Sequence, residues 1–140
     1  IALIHDVVIT MGIFSLLSYE INLSIVAAVL TIVGYSMNDT VVIFDRIREN
    51  LRKYSKISIS EISNKSTNET LSRTLITSVT TLLALFSIYI FGGAILKGFS
   101  FAMIVGVIVG TYSSIFVAAP ILNYTKVNQK TVLKENSDKD

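Results

Sequence analysis

The sequence predicts an all-α, polytopic membrane protein organised as a bundle of four transmembrane helices. Of its 140 residues, 51% are hydrophobic and only 16% are charged, against roughly 25% charged residues in an average soluble domain. The charges are also unevenly placed, with four of them in residues 1–45 and one in residues 74–125. These two blocks are long enough for membrane helices, which need roughly 20 apolar residues each. The pattern excludes an ordinary soluble domain and an intrinsically disordered chain.

Four apolar stretches define the predicted spans, at about residues 1–18, 23–44, 74–91 and 99–122. The second and the fourth reach the required length, whereas the third is shorter and rich in Thr and Ser. We therefore expect the third helix to begin earlier, near Asn68. The sequence opens inside an apolar run without a charged leader region, so we expect no signal peptide and a fragment whose N-terminal part is missing.

The connections predict the orientation of the chain in the membrane. Residues 45–73 form one long loop with seven basic residues, whereas the two short turns together hold only Lys97. The positive-inside rule places this loop in the cytoplasm. The polar tail 123–140 falls on the same side, and we expect it to be disordered. Within the loop, Ser58 and Glu61 fit a capping box, which predicts a short amphipathic helix after them.

Ionisable residues inside the spans are the main functional signal, because inserting one costs roughly 2.5–3.5 kcal/mol on insertion scales. Asp39 lies about five residues above the cytoplasmic end of its span, and Arg73 enters the third span from the same side. Asp6 lies in the first span, beside His5. We expect Asp39, Arg73 and Asp6 to share one layer of the bundle and to form a proton relay, with Asn38 as a supporting residue.

The face of the third helix that carries Arg73 favours this interpretation. The residues that follow on that face are small or polar: Thr77, Thr80, Ala84 and Ser87. Such a face packs against protein or water rather than lipid, which makes Thr77 a second candidate for support of the relay. The alternatives are that Asp39 is solvated at a helix end, that Arg73 is an ordinary cytoplasmic anchor, and that His5 and Asp6 are not deep in the membrane.

Small residues recur every fourth position along the fourth span. They are Gly98, Ala102, Gly106, Gly110, Ser114 and Ala118. A ridge of this GxxxG type lets two helix backbones approach closely. It predicts helix packing, either within the chain or against a partner.

Metal, cofactor and nucleic-acid chemistry have little support in the sequence. Cysteine is absent and His5 is the single histidine, so a disulfide framework and the usual zinc sites are excluded. The basic residues cluster between apolar blocks, which indicates topology rather than a nucleic-acid surface. An intramembrane aspartyl protease that uses Asp6 and Asp39 is the enzyme alternative, but the chain has GYSMND where such proteases show a GxGD-like motif. We therefore predict that the chain is not an enzyme.

Several stretches resemble a known family. GYSMNDTVVIFDRIREN from Gly34, IHDVVIT at 4–10, LSRTLITSVTTLLAL at 71–85 and FGGAILKGFSFAMIVGVIVGTYSSIFVA at 91–118 are similar to the SecF branch of the SecD/SecF family. That family takes part in bacterial protein export and belongs to the resistance-nodulation-division (RND) superfamily. The resemblance covers about residues 2–122.

The resemblance implies a bundle of six helices with a large extracytoplasmic domain between the first two, of which this chain holds the last four helices. It further implies a cell-membrane protein that uses the proton motive force to assist export, with SecD, the Sec translocon channel and a translocating polypeptide as partners. Matched by motif, Asp39 and Arg73 belong to the proton pathway, and Asp6 matches another polar position of the family. A passive membrane scaffold and a fragment of another RND-type proton-driven transporter are the alternatives.

Overall fold

Every regular element in the described part of the chain is a helix, as the sequence predicts. The computed structural model describes residues 1–54 and 56–124. The helices are α1 (Ala2–Leu16), α2 (Leu23–Lys53), α3 (Ile59–Phe91), α4 (Gly93–Ser113) and α5 (Ala119–Tyr124), with a π-helical segment, Ser114–Ala118, between the last two. The predicted tail at 123–140 lies outside the described residues from position 125 onward.

Three helices are long and apolar enough to cross a membrane. They are Leu23–Lys53, Ile59–Phe91 and the continuous stretch Gly93–Leu122, whereas α1 is an apolar helix of 15 residues. With 31 and 33 residues, α2 and α3 are about 46 and 50 Å long at 1.5 Å per residue. Both exceed the roughly 30 Å hydrocarbon core of a bilayer, so each extends beyond it.

The prediction that residues 45–73 form a long loop is wrong. Only residues 54–58 connect α2 to α3, and the remainder is helical. The reason is a buried apolar stripe within the charged sequence, in which Ile43, Ile47 and Leu51 of α2 pack with Ile62 of α3. The short helix predicted after Ser58 is accordingly the first part of α3. Its cap is confirmed, since the Glu61 N–H donates to Ser58 Oγ at 3.3 Å.

Polar contacts join the same two helix ends, which we call the α2–α3 hairpin. Arg46 Nε donates to Glu69 Oε2 at 2.6 Å, and Asn50 Nδ2 donates to the same oxygen at 2.9 Å and to Ser66 Oγ at 2.8 Å. The Lys65 ammonium lies 4.0 Å from the ring centroid of Tyr54. The charged residues of the hairpin therefore fasten its two helices to each other.

The opposite end of the bundle is closed by tight connections and aromatic packing. The chain passes from α3 to α4 through Gly92 alone, and Gly93 adopts a φ of +74°, a conformation that glycine reaches without steric cost. The fourth helix thus begins earlier than expected and leaves no turn at 92–98. After α1, the Tyr19 ring stacks on Phe101 of α4 with centroids 5.5 Å apart, which holds the turn between α1 and α2 against α4.

Helix α4 lies against each of α1, α2 and α3 and forms the centre of the bundle. One apolar cluster joins α1, α2, α3 and α4 and includes Phe14, Ile32, Leu85 and Val107. A second joins the α2–α3 hairpin to Ala119 of α5. Ser36 and Asp39 of α2 and Ser113 of α4 are buried polar residues that lie between these two clusters along the chain, and they mark the candidate site.

Candidate functional site

A set of buried or half-buried polar residues connects the helices between the two apolar clusters. We call it the polar layer, and its members are Asp6 of α1, Ser36, Asp39 and Thr40 of α2, Ser78 of α3, Thr111 and Ser113 of α4, and Ser114 of the π-helical segment. Intramembrane ionisable residues are rare and mark functional sites by default. The two carboxylates of this layer are therefore the centre of the candidate site.

Asp6 is almost fully buried, at 1% exposure, and both of its carboxylate oxygens have partners. Ser36 Oγ of α2 donates to Oδ2 at 2.5 Å, and Nδ1 of the half-buried His5 lies 3.2 Å from Oδ1. The Asp6 backbone carbonyl accepts from Thr10 Oγ1 at 2.7 Å. Asp6 thus links α1 to α2 through a side-chain hydrogen bond across the helix interface.

Asp39 is 4% exposed and differs from Asp6 in its surroundings. Its Oδ2 atom is buried without a hydrogen-bond partner. A buried carboxylate oxygen without a donor is unfavourable if the group stays charged. Asp39 therefore has both the burial and the free acceptor that proton binding requires.

Arg73 lies at the edge of the site and is exposed in this chain. It lines a cleft of about 310 Å³ between α2 and α3, together with Val42 and Asp45. Its charge acts electrostatically on Asp39, although the structure places no ion pair between these two described residues. Because the cleft lies beside Val42 and Asp45, Arg73 is about one helical turn nearer the α2–α3 hairpin than Asp39 is.

The predicted face of α3 is not directed at the interior of this chain. Arg73, Thr80, Ala84 and Ser87 are exposed, and Thr77 is half-buried with its hydroxyl bonded to the Arg73 carbonyl at 2.8 Å. The expectation that Arg73 faces inward is therefore wrong for these four helices. The buried residues of α3 at this level are Thr74 and Ser78, which continue the buried row that starts in the hairpin, and Ser78 contacts Thr111 of α4.

Asn38 is exposed on α2 beside the buried Asp39. Neighbouring residues of a helix point about 100° apart, so Asn38 and Asp39 lie on different faces. Among the described residues, Asn38 has no hydrogen bond to the polar layer. Its support of the relay stays a prediction.

Two further hydroxyl pairs hold the polar layer together. Thr40 Oγ1 lies 3.0 Å from Ser114 Oγ, and Ser78 Oγ lies 2.7 Å from Thr111 Oγ1. Ser113 Oγ is buried without a partner. Ser114 opens the π-helical segment, and single π-helical turns within α-helices are frequent at functional sites.

The small-residue ridge packs α4 against α2. A Cβ atom added at Gly106 would lie 2.3 Å from two atoms of the Ile32 side chain, and one added at Gly110 would lie 3.2 Å from Ser36 Cβ. Ala102, Ser114 and Ala118 are buried on the same ridge. Gly98 is the exception, since it is half-buried and has open space around it.

Ser36, Thr40 and the hydroxyls of α4 are site residues that the sequence analysis missed. The available signal was spacing, because Ser36 precedes Asp39 by three residues and Thr40 follows it by one. Ser36 shares a helical face with the carboxylate, whereas Thr40 points about 100° away and was not predictable from spacing. Among the described residues, no group of three His, Cys, Asp or Glu side chains could hold a metal ion.

Comparison with known proteins agrees with this arrangement. Residues 1–128 match the family model described as protein export membrane protein SecD/SecF, C-terminal. A protein translocase subunit SecF from Rickettsia bellii (strain OSU 85-389) is 60% identical over 122 residues, which cover 87% of this chain and 40% of that relative. The protein of the same name from Koribacter versatilis (strain Ellin345) is 56% identical over 122 residues, covering 87% and 30%. The chain thus spans less than half the length of these curated relatives.

Two solved structures are similar to the whole helical arrangement. One is the crystal structure of SecDF, described as a translocon-associated membrane protein, from Thermus thermophilus. It has a TM-score of 0.86 and 47% identity, covering 89% of this chain and 17% of that one. The other is SecDF in a super-membrane-facing form, with a TM-score of 0.85 and 44% identity, covering 98% and 18%.

Proposed function

Since the chain belongs to the SecD/SecF family of protein export membrane proteins, we propose that it is the C-terminal membrane part of a subunit that assists polypeptide export across the bacterial inner membrane. The observation that supports proton coupling is the Asp39 carboxyl group. It is buried in an apolar span, and one of its oxygens has no hydrogen-bond partner.

The proposed orientation places the α2–α3 hairpin in the cytoplasm. Residues 45–73 carry seven basic side chains, against one at the opposite end, Lys97 near the start of α4, and such asymmetry sets topology. The cleft that contains Arg73 then opens toward the cytoplasm, and the aromatic packing around Phe101 lies at the outer side. Protons that enter from outside would reach Asp39 before they leave along the cleft.

The coupling step follows from the charge of Asp39. A proton on Asp39 removes a buried negative charge and with it the attraction to Arg73, whereas its release restores both. One elementary charge that crosses 100 mV is worth about 2.3 kcal/mol. Repeated proton passage can therefore bias an equilibrium between two arrangements of α2 and α3, and this movement would assist the exported polypeptide.

The proposed partners are a SecD-type protein and the Sec translocon channel, with the exported polypeptide as substrate. The support is twofold. The solved neighbours carry the name SecDF, and the exposed face of α3 with Arg73, Thr80 and Ser87 is too polar for lipid. Further helices of the same protein or of its partner would cover this face.

We also propose that the chain has no catalytic function of its own. A proteolytic pair would need two carboxylates that share a proton. In this structure, both oxygens of Asp6 are already occupied by Ser36 and His5, so Asp6 is unavailable to Asp39 as a direct partner.

The test is Asp39→Asn in the intact subunit, assembled with its partner in inner-membrane vesicles. The rate of preprotein translocation should lose its dependence on the proton motive force, because asparagine does not titrate. Glu61→Gln is the control, since Glu61 is an exposed carboxylate in the first turn of α3 and does not line the cleft that contains Arg73. Normal proton-driven translocation by Asp39→Asn would refute the proposal.

A passive scaffold is the second candidate, and the ridge of Gly106 and Gly110 against α2 favours it. In a scaffold, Asp39→Asn would leave both assembly and translocation intact. A variant that assembles but fails to translocate excludes the scaffold, so the same experiment separates the two functions.

A further inference from the structure

We infer that Ser36 is a positioning residue that bridges the two buried carboxylates, Asp6 and Asp39, and carries a proton between them. The inference rests on the proposed proton-coupled function of Asp39. It adds a defined route by which a proton reaches or leaves that residue through α1.

The first half of the bridge is a direct contact. Ser36 is fully buried, and its hydroxyl donates to Asp6 Oδ2 at 2.5 Å across the interface between α1 and α2. The contact is between side chains 30 residues apart in sequence. The Ser36 hydroxyl is therefore hydrogen-bonded to another helix, whereas most of the hydroxyl side chains in the bundle bond to the backbone of their own helix.

The second half of the bridge follows from helix geometry. Ser36 and Asp39 are three residues apart on α2 and both are buried, and side chains at this spacing are neighbours on one face. Side chains in an α-helix lean toward its N-terminus, so the Asp39 carboxyl group leans over the turn that carries Ser36. The Oδ2 of Asp39 has no hydrogen-bond partner in this structure, so the second link forms when the Asp39 side chain turns toward the Ser36 hydroxyl on the preceding turn.

Helix α4 and the π-helical segment pack beside Ser36 and Asp39 on α2. On the α4 side, a Cβ at Gly110 would lie 3.2 Å from Ser36 Cβ, so the backbone of α4 closes the space beside the serine. One residue beyond Asp39, Thr40 bonds to Ser114 at 3.0 Å. The carboxyl group of Asp39 is thus flanked by two interhelical hydrogen bonds, one to α1 and one to the π-helical segment.

A hydroxyl group is suited to the transfer because it is both donor and acceptor. In the step, the O–H bond of protonated Asp39 breaks and a new one forms on Ser36 Oγ. At the same time, the original O–H bond of Ser36 breaks and a new one forms on Asp6 Oδ2. The net change is one proton moved from Asp39 to Asp6, with the serine regenerated, and the same exchange in reverse delivers a proton from Asp6 to Asp39 before it leaves along the cleft.

The charged groups around this bridge are few. His5 of α1 lies beside Asp6 at 3.2 Å, and Arg73 of α3 acts electrostatically on Asp39. Helix α4 has one charged residue, Lys97, near its start and distant along the chain from Gly110. If the pH dependence of translocation changes when Ser36 is replaced, that change reports on Asp6 and Asp39. His5 and Arg73 are the neighbouring charged groups.

The experiment compares Ser36→Ala with Ser100→Ala in the intact subunit with its partner, reconstituted in vesicles. Ser100 is an equally buried serine, but its hydroxyl bonds only to the Leu96 carbonyl of its own helix, at 2.7 Å. Proton-driven translocation is measured from pH 5 to 9. Ser36→Ala should lower the rate about 100-fold, at the lower edge of typical proton-transfer contributions, and change the pH profile, whereas Ser100→Ala should leave both unchanged.

A lower rate with an unchanged pH profile would mean that Ser36 only packs, and it would overturn the inference, as would a normal rate. If Ser36→Ala fails to accumulate, infrared titration of carboxyl bands replaces it. Asp6→Asn should then shift the titration of the Asp39 band, because bridged groups titrate as a pair, and an unshifted band would refute the bridge. Loss of coupling in Asp39→Asn with a normal Ser36→Ala refutes the bridge alone, whereas normal coupling in Asp39→Asn refutes the proposed function.

Discussion

The close approach of α4 to α2 gives a prediction whose size can be worked from the structure. A Cβ atom at Gly106 would lie 2.3 Å from both Cδ1 and Cγ1 of Ile32 and 2.8 Å from its Cγ2. Ile32 is 1% exposed, so its side chain has little room to move. We therefore expect Gly106→Ala to overpack the interface, an effect that typically costs about 1–3 kcal/mol.

Gly98→Ala is the matched control on the same ridge. A Cβ at Gly98 meets nothing within 4 Å, so this substitution adds only the better helix propensity of alanine, about 1 kcal/mol. Gly106→Ala gains the same propensity. The difference between the two variants in the free energy of unfolding therefore isolates the overpacking, and we expect Gly106→Ala to be the less stable by about 1–3 kcal/mol.

The assay is reversible unfolding of the intact subunit in mixed micelles. A second substitution, Ile32→Ala, removes all three contacting atoms and alone should cost about 2–5 kcal/mol. In that background, Gly106→Ala should no longer destabilise, because the added methyl group meets a vacated space. Equal stabilities of Gly106→Ala and Gly98→Ala, or fully additive losses with Ile32→Ala, would refute the packing argument.

The remaining predictions concern the ridge, the hairpin and the charged pair. Gly110→Leu should impair folding or assembly because α4 lies against Ser36 there, and normal assembly would contradict this. Hydrogen bonds from Asn50 and Arg46 lower the pKa of Glu69. The hairpin should therefore lose stability as the pH falls below about 4.3, the ordinary pKa of glutamate. In thermal unfolding, Glu69→Gln should not show this loss of stability at low pH. The double variant Asp39→Asn with Arg73→Met should lose less stability than the two single variants lose together, and it should still fail in proton-driven export. Additive losses of stability would mean that the two charges do not interact.

The apolar spans were predictable because their hydropathy reports directly on the membrane. The second and fourth spans contain the centres of α2 and α4, and Ser58 caps α3 as its sequence context suggests. The helical hairpin was missed because its charged residues dominate the hydropathy. Its helices form because a sparse row of Ile47, Leu51 and Ile62 is buried between them.

The site was predictable only in its charged members. Asp39 stands out since a carboxylate inside an apolar span is costly, and its burial agrees with that reasoning. The partner of Asp6 was not predictable, because Ser36 is a small, common residue and its role depends on how α1 and α2 cross. The exposed position of Arg73 was not predictable, because the sequence does not show which side of α3 packs against α2 and α4.

The central claim is that Asp39 transfers protons through the membrane part of an export subunit. The most direct measurement is proton flux into proteoliposomes that contain the intact subunit and its partner, under an imposed pH gradient and with a pH-sensitive dye inside. We predict that Asp39→Asn reduces the flux to that of protein-free vesicles, while Glu61→Gln, a change at an exposed carboxylate outside the cleft, retains the wild-type flux. A wild-type flux in correctly assembled Asp39→Asn would contradict the account.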